Sequence, residues 1–410
     1  MIKIIRLILL ITGTVLVSCN GTKNMQSEES LISHAMKLHT KMVTIDTHND
    51  TPLTFLRNGF DFSGENNTAR NSRVDLKKME EGGLDAAFFA VFIGQGELTP
   101  DAYEKANKRA LEIFDAVHNQ VNNHSSRSAI ATLPEDALRL KKEGKRAIYI
   151  GVENGYPIGN DLSFLKKYYD LGARYVTLCH TKNNQICDSS TDPAGPKHNG
   201  LSNFGKEVVR ELNNLGMLID VSHISDQSFY DVLEYSKVPV FASHSCARAI
   251  CDNPRNLNDE MLKKIAEKGG VVQMCILSDY VKKTDPNPKR DSARNALRQK
   301  YRNFQNLSQD EEKQLNVDWY EMEEKYPAKL ATVSDVVDHI DHMVKVMGID
   351  YVGIGTDFDG GGGVQGCINA SEMSNITVEL IRRGYSDSDI QKIWGENFMR
   401  VFRKAIEYSK

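Results

Sequence analysis

From Lys41 onward, short β-rich apolar runs alternate with stretches whose apolar residues recur at helical spacing. The runs are Met42–Asp46, Ala86–Ile93, Ala147–Val152, Tyr175–Cys179, Met217–Val221, Val238–Ala242, Gly270–Leu277 and Tyr351–Gly355. Helical stretches lie between them at Tyr103–Asn122, Leu162–Leu171, Phe204–Leu215, Gln227–Ser236, Asp259–Lys268 and Val333–Met347. This alternation predicts parallel strands joined by crossover helices. Eight strands predict a closed (β/α)8 barrel of the TIM type rather than an open doubly wound sheet. The stretch from Lys282 to Lys329 is too charged to build a core of its own and reads as a helical insertion between strands seven and eight. The tail from Asp387 to Tyr408 carries Ile390, Ile393, Trp394, Phe398, Val401 and Phe402 at helical spacing, which predicts a closing amphipathic helix packed on the core.

The first residues break the pattern. Lys3 and Arg6 precede an apolar run from Leu7 to Val17, too short to span a bilayer comfortably and built like the core of a signal peptide. It ends in Leu16-Val17-Ser18-Cys19, which resembles a bacterial lipobox. By that resemblance residues 1–18 are a cleaved signal peptide and Cys19 carries the lipid that holds the protein to the membrane. Residues 19–30 then form a flexible tether, poor in apolar side chains, and residues 31–410 form the barrel domain. Asn20 gives no aspartate retention signal, so the expected destination is the outer membrane of the bacterial envelope. No later segment is long and apolar enough to cross a membrane, which leaves lipid as the anchor.

Composition narrows the function. A chain of 410 residues with 40% hydrophobic and 26% charged residues is an ordinary globular protein within reach of one barrel with an insertion. A net charge of −4 gives no reason to expect a nucleic-acid partner, which needs a basic patch. Besides Cys19 there are Cys179, Cys187, Cys246, Cys251, Cys275 and Cys367. None forms a C-x-x-C pair, which argues against a structural zinc site, and their spacing does not reveal which of them pair.

The chemistry lies at the strand ends. Strand one runs into Asp46-Thr47-His48-Asn49-Asp50, strand three into Glu153, strand four into His180, strand five into His223, strand six into His244 and strand eight into Asp357. In a barrel these carboxyl ends converge on one face. Taken singly, any of these residues reads as a cap or a loop side chain. Jointly, so many nitrogen and carboxylate donors on one rim do not read as packing. His48 and Asp50 are one residue apart, so on an extended chain they face the same way and can share a divalent cation. His223 and His244 come from neighbouring strands and can hold a second, and Glu153 can bridge the two. Two Zn²⁺ would be offset by Asp50, Glu153, a bridging hydroxide and nearby Asp357. Such a pair suits hydrolysis: the hydroxide attacks a carbonyl, Asp357 shuttles its proton to the leaving nitrogen, and His180 steadies the oxyanion.

These motifs resemble those of the membrane (renal-type) dipeptidases, metallopeptidases of the amidohydrolase superfamily. The resemblance is carried by Ile45-Asp46-Thr47-His48-Asn49-Asp50, Gly151-Val152-Glu153, Thr177-Leu178-Cys179-His180, Asp220-Val221-Ser222-His223, Ala242-Ser243-His244-Ser245 and Ile354-Gly355-Thr356-Asp357-Phe358-Asp359-Gly360, in the family order over residues 40 to 405. It implies two zinc ions, one on His48 and Asp50, one on His223 and His244, bridged by Glu153. It further implies substrate contact by His180, proton shuttling by Asp357, and hydrolysis of dipeptides, with a C-terminal D-residue as one option and the D or L preference left open. Asn253-Pro254-Arg255-Asn256 resembles the segment whose arginine binds the substrate carboxylate, a role suited to the guanidinium fork. Tyr280, just past strand seven, reads equally as a pocket wall and as a core tyrosine. The family often forms homodimers, but no interface is legible here.

Departures from the family bear on specificity. The loop from Thr181 to Pro196 differs from that of the mammalian enzymes, and their disulfide pattern is not reproduced around Cys251. Asp220 and Asp359 are alternative acids to Asp357. Two rival functions stand beside the dipeptidase reading. One is another binuclear-metal amidohydrolase acting on a non-peptide amide or ester, against which His-x-Asp in place of His-x-His and Glu153 as bridge both argue. The other is a catalytically silent surface lipoprotein, against which the complete set of donors argues.

Overall fold

A computed structural model describes residues 27–57, 59–65, 72–302 and 309–409. The signal peptide, the lipobox cysteine and most of the tether lie outside the described residues. Nine strands form one parallel sheet: β1 (Ile45–Asn49), β2 (Ala86–Phe92), β3 (Ser128–Ile130), β4 (Arg146–Glu153), β5 (Ala173–Thr177), β6 (Leu218–Asp220), β7 (Phe241–Ser245), β8 (Val271–Met274) and β9 (Val352–Ile354). Eight of them follow the order β1-β2-β4-β5-β6-β7-β8-β9. The barrel closes beyond the last strand, where the Asp357 amide donates to His48 O at 2.9 Å and the Asp50 amide donates to Phe358 O at 2.8 Å. β3 was not anticipated. It pairs with the first residues of β4, on the side that β5 takes over from Ile150.

Local chemistry sets the element ends. The helix Asn203–Leu215 starts where the Ser202 side chain accepts from the Gly205 amide, buries Val208, Val209 and Leu212, and stops at Gly216 in the left-handed region. Two strands lie three residues later than the apolar runs suggest. Met42 caps the helix Glu28–Lys41 by donating its amide to Leu38 O, so β1 begins only at Ile45. Pro239 has no amide to pair, and β7 begins at Phe241 rather than Val238. His48 and His244 therefore stand within strands rather than past them. The helix Glu28–Lys41 also claims residues 28–30 from the expected tether, with Ser27 accepting from the Ser30 amide as its cap.

The barrel interior is filled at the end opposite the site. Phe88, Tyr149, Tyr175 and Phe241 meet Phe398 and Phe402 of the C-terminal helix Asn397–Tyr408, which closes the barrel as expected. Phe398 lies edge-on to Phe88 with centroids 5.2 Å apart. The charged insertion between β8 and β9 forms the helices Pro288–Lys300 and Gln309–Lys325, joined by Arg290–Glu323 and Lys300–Asp318 ion pairs. Among the described residues no helix is long and apolar enough to cross a membrane, and all six cysteines are buried and free.

Candidate active site

The strand ends bring the anticipated side chains to one point. His48 and Asp50 come from β1, Glu153 ends β4, His180 and His223 follow β5 and β6, His244 lies in β7, and Asp357 follows β9. All are buried except His180, which is half-buried. Glu153 is central. Its Oε2 lies 3.5 Å from His48 Nε2, while its Oε1 lies 3.0 Å from His223 Nε2, 3.6 Å from His244 Nε2 and 3.9 Å from His180 Nε2. Asp50 Oδ2 and Asp357 Oδ1 each lie 4.0 Å from His48 Nε2. One carboxylate thus presents an oxygen to each half of the cluster. Asp357 and His180 approach as closely as some of the residues expected to bind metal.

The donor set suits divalent cations. Three groupings bring ligand atoms within 4.8 Å of one another: His48, Asp50 and Glu153; Glu153, His180 and His223; and His48, His244 and Asp357. His48 Nε2 and Asp50 Oδ1 are buried without a hydrogen-bond partner, a costly state that a cation relieves. His48 Nδ1 meets the Tyr175 hydroxyl at 2.8 Å, and His244 Nδ1 meets Ser243 Oγ at 2.7 Å. With the outer nitrogens so engaged, both Nε2 lone pairs face inward, the arrangement of metal-binding histidines. Burial pushes Glu153 up to about 8 and Asp357 up to about 7, and raises Asp50 as well, reinforced by the Glu153 charge. It lowers His180 to about 3 and takes His223 and His244 well below the usual range. Imidazoles kept neutral are ready ligands, and carboxylates this reluctant to ionise need positive charge beside them.

The backbone is bent to this purpose. His223 has φ 71° and Asp357 φ 59°, left-handed values for residues that bear a Cβ. Each costs on the order of 1 kcal/mol and turns a side chain inward as the strand ends. Gly360 follows the same turn: a Cβ there would stand 2.0 Å from Asp50 Oδ2 and 2.4 Å from Asp357 Oδ1. Gly151 on β4 has a comparable role, because a Cβ would lie 2.0 Å from Tyr175 Cζ and displace the ring that holds His48.

Beside the cluster, Arg255 is buried and has no carboxylate within ion-pair distance among the described residues. Its Nη2 donates to His244 O at 3.3 Å and its Nε has no partner. Its guanidinium faces the half-buried Tyr280 ring, 5.2 Å from the centroid. A buried guanidinium without a carboxylate partner is a seat for an anionic group. Opposite it, the Phe92 ring meets His180 edge-on at 4.8 Å. The Thr181–Pro196 loop is bonded to the site backbone: Ser189 Oγ donates to His180 O at 2.6 Å and the Ser190 amide donates to His223 O at 2.8 Å.

The two alternative acids are fully engaged elsewhere. Asp359 accepts from the Thr51 hydroxyl, the Ser72 hydroxyl and the Arg73 amide. Asp220 accepts only from groups on β5, on β7 and at the exit of β6. Tyr175 and Ser243 escaped the reading of the strand ends. The signal for Tyr175 was a phenol within a buried parallel strand, which needs a polar partner.

A family model described as membrane dipeptidase (peptidase family M19) matches residues 32–410. Dipeptidase tcpJ of Claviceps purpurea is 30% identical over 369 residues, covering 88% of this chain and 76% of that protein. The crystal structure of the probable dipeptidase PvdM from Pseudomonas aeruginosa superposes with a TM-score of 0.77 at 32% identity, over 93% of this chain and 99% of that one. A metallopeptidase from Rhodobacter sphaeroides, liganded with a phosphinate mimic of the dipeptide L-Ala-D-Ala, shares the fold with a TM-score of 0.71 at 22% identity, over 89% and 99% of the two chains.

Proposed function

The chain belongs to the membrane dipeptidase family and is a metallo-dipeptidase, and we propose that it works with two zinc ions, bridged by Glu153, on dipeptides that include those with a C-terminal D-residue. His48 and Asp50 would complete one zinc site, and His223 and His244 the other. The observation that carries this reading is the division of the Glu153 carboxylate, Oε2 toward His48 and Oε1 toward His223. When bound, the metal pair supplies Lewis acidity, which polarises the scissile carbonyl and lowers the pKa of water at the site.

The chain's own groups do the rest. Arg255 takes the substrate's terminal carboxylate in a two-pronged contact and so sets which end of the dipeptide enters first. Its tie to His244 O keeps that anchor at a fixed distance from the reacting centre. Tyr280 packs against the guanidinium and walls that side of the pocket. His180 donates Nε2–H to the carbonyl oxygen as negative charge grows there, and its low proton affinity keeps it neutral beforehand. Asp357 takes a proton from the attacking water and delivers it to the departing amine nitrogen. It is a buried carboxylate 4.0 Å from His48 Nε2, placed where one group can both accept and return a proton. Support for a D-residue at the second position is the L-Ala-D-Ala mimic held by the Rhodobacter relative.

We further propose that Cys19 is lipid-modified, that the anchor lies in the outer membrane, and that the enzyme acts as a homodimer. The deciding experiment is hydrolysis of a panel of L,L and L,D dipeptides by protein beginning after Cys19. Cleavage that chelation abolishes and zinc restores supports the reading. Zinc-loaded protein that cleaves no dipeptide overturns it.

A further inference from the structure

We infer that Asp220 is a positioning residue for the second metal site, acting through the Ser243 hydroxyl on His244. The inference rests on the two-zinc reading above. Asp220 ends β6, three residues before His223, and is completely buried. Its Oδ1 accepts from the Ser222 amide at 2.9 Å and the Ser243 amide at 2.8 Å, the residues immediately before His223 and His244. Its Oδ2 accepts from the Ser243 hydroxyl at 2.6 Å and the Thr177 hydroxyl at 2.5 Å. One carboxylate thereby ties the backbones that launch both histidines to each other and to β5.

The hydroxyl contact adds a second function. Ser243 Oγ also lies 2.7 Å from His244 Nδ1. Because that oxygen gives its proton to Asp220, it is left as an acceptor and takes the proton of His244 Nδ1. The relay runs from His244 Nδ1–H to Ser243 Oγ–H to the Asp220 carboxylate. It fixes the tautomer in which Nε2 is the ligand and makes that nitrogen more basic. No Lys, Arg or His lies within ion-pair distance of Asp220 among the described residues, so a fully buried carboxylate has only neutral donors beside it. Cations held by His244 give this charge the counterpart that its immediate neighbours do not. Both oxygens are filled by protein donors, which makes Asp220 a positioning residue and not an acid of the reaction.

The test is zinc binding to metal-free protein, measured against a competing chelator, in the parent, Ser243→Ala, Asp220→Asn and the double variant, with the melting temperature of each metal-free form. Ser243→Ala keeps every backbone bond to Asp220 and removes the relay, along with a 3.4 Å hydroxyl contact to Ser222. The expected result is a loss of about 10- to 100-fold in affinity for one of the two zinc ions, an unchanged first ion, and a metal-free Tm like the parent's. The double variant should lose no more than Asp220→Asn does alone, since the hydroxyl works through the carboxylate. If Asp220→Asn fails to fold, Ser243→Ala decides alone. Parent-like binding of both ions by Ser243→Ala, or equal weakening of both together with a lowered metal-free Tm, overturns the inference. Parent protein that binds no zinc pair would refute the two-zinc reading itself, a different failure.

Discussion

The hydroxyl of Tyr175 lies 2.8 Å from Nδ1 of His48, inside the barrel and on the other side of the ring from Nε2, which faces Glu153. This contact is to His48 what the Ser243 hydroxyl is to His244. A bond through the outer nitrogen orients the ring and fixes its tautomer. Tyr175→Phe should weaken zinc binding at the His48 site by about 10- to 100-fold, while removal of one buried hydroxyl costs only about 1 kcal/mol of stability. Gly151→Ala should do more damage, because its Cβ would occupy the place of the Tyr175 ring. Chelator competition and thermal melting on both variants measure the two effects. Parent-like zinc affinity in Tyr175→Phe would show that the contact does not orient the ligand.

Asp357→Asn should keep the metals and lose the reaction. The amide retains the shape of the side chain but cannot cycle a proton, so kcat should fall by about 10²- to 10⁴-fold with zinc content intact. Loss of zinc in step with activity would instead make Asp357 a ligand, which its 4.0 Å approach to His48 leaves geometrically open.

Arg255 should act on binding of the terminal carboxylate. Arg255→Met is expected to lower kcat/KM on free dipeptides by about 10- to 100-fold, the worth of a charge-assisted contact. A dipeptide amide, which has no carboxylate, should already be a poor substrate of the parent and should suffer little further from the substitution. Equal losses on both substrates would place the role of Arg255 in folding and not in recognition.

The anticipated site residues were legible because a parallel barrel gathers its strand ends on one rim, so polar residues after successive apolar runs become neighbours without further information. Their supports were not. The pairing of Tyr175 with His48 spans 127 positions, and it depends on Gly151 having no side chain. The link from Asp220 to Ser243 depends on two strands meeting in one register, and Asp220 by itself reads as a rival acid. β3 is three residues long with no apolar run to announce it. The starts of β1 and β7 were misplaced because a helix cap and a proline each take part of an apolar run that composition alone assigns to a strand.

Removal of the metals should make stability fall as pH rises above neutrality. Glu153 and Asp357 have folded pKa values of about 8 and about 7, raised by burial, against about 4 in the unfolded chain. Groups raised in this way bind protons more tightly when folded, so stability falls as pH rises through those values. The buried imidazoles oppose this up to about pH 7.5, one unit above the ordinary histidine value, because the unfolded chain takes up protons that they refuse. Between about pH 7.5 and about pH 8 the carboxylates outweigh them. Melting temperature in this interval should fall with pH for the metal-free protein and stay nearly level for the zinc-loaded one. A level profile without metal would mean that these carboxylates are not held protonated.

Metal content decides whether Glu153 joins two zinc ions in one site. Elemental analysis of protein beginning after Cys19 should find two zinc ions per chain, and Glu153→Gln should retain fewer than one, since each site loses a charged ligand at once. Two ions held by Glu153→Gln as tightly as by the parent, or a parent that never binds more than one, would rule out Glu153 as a bridge between two zinc ions.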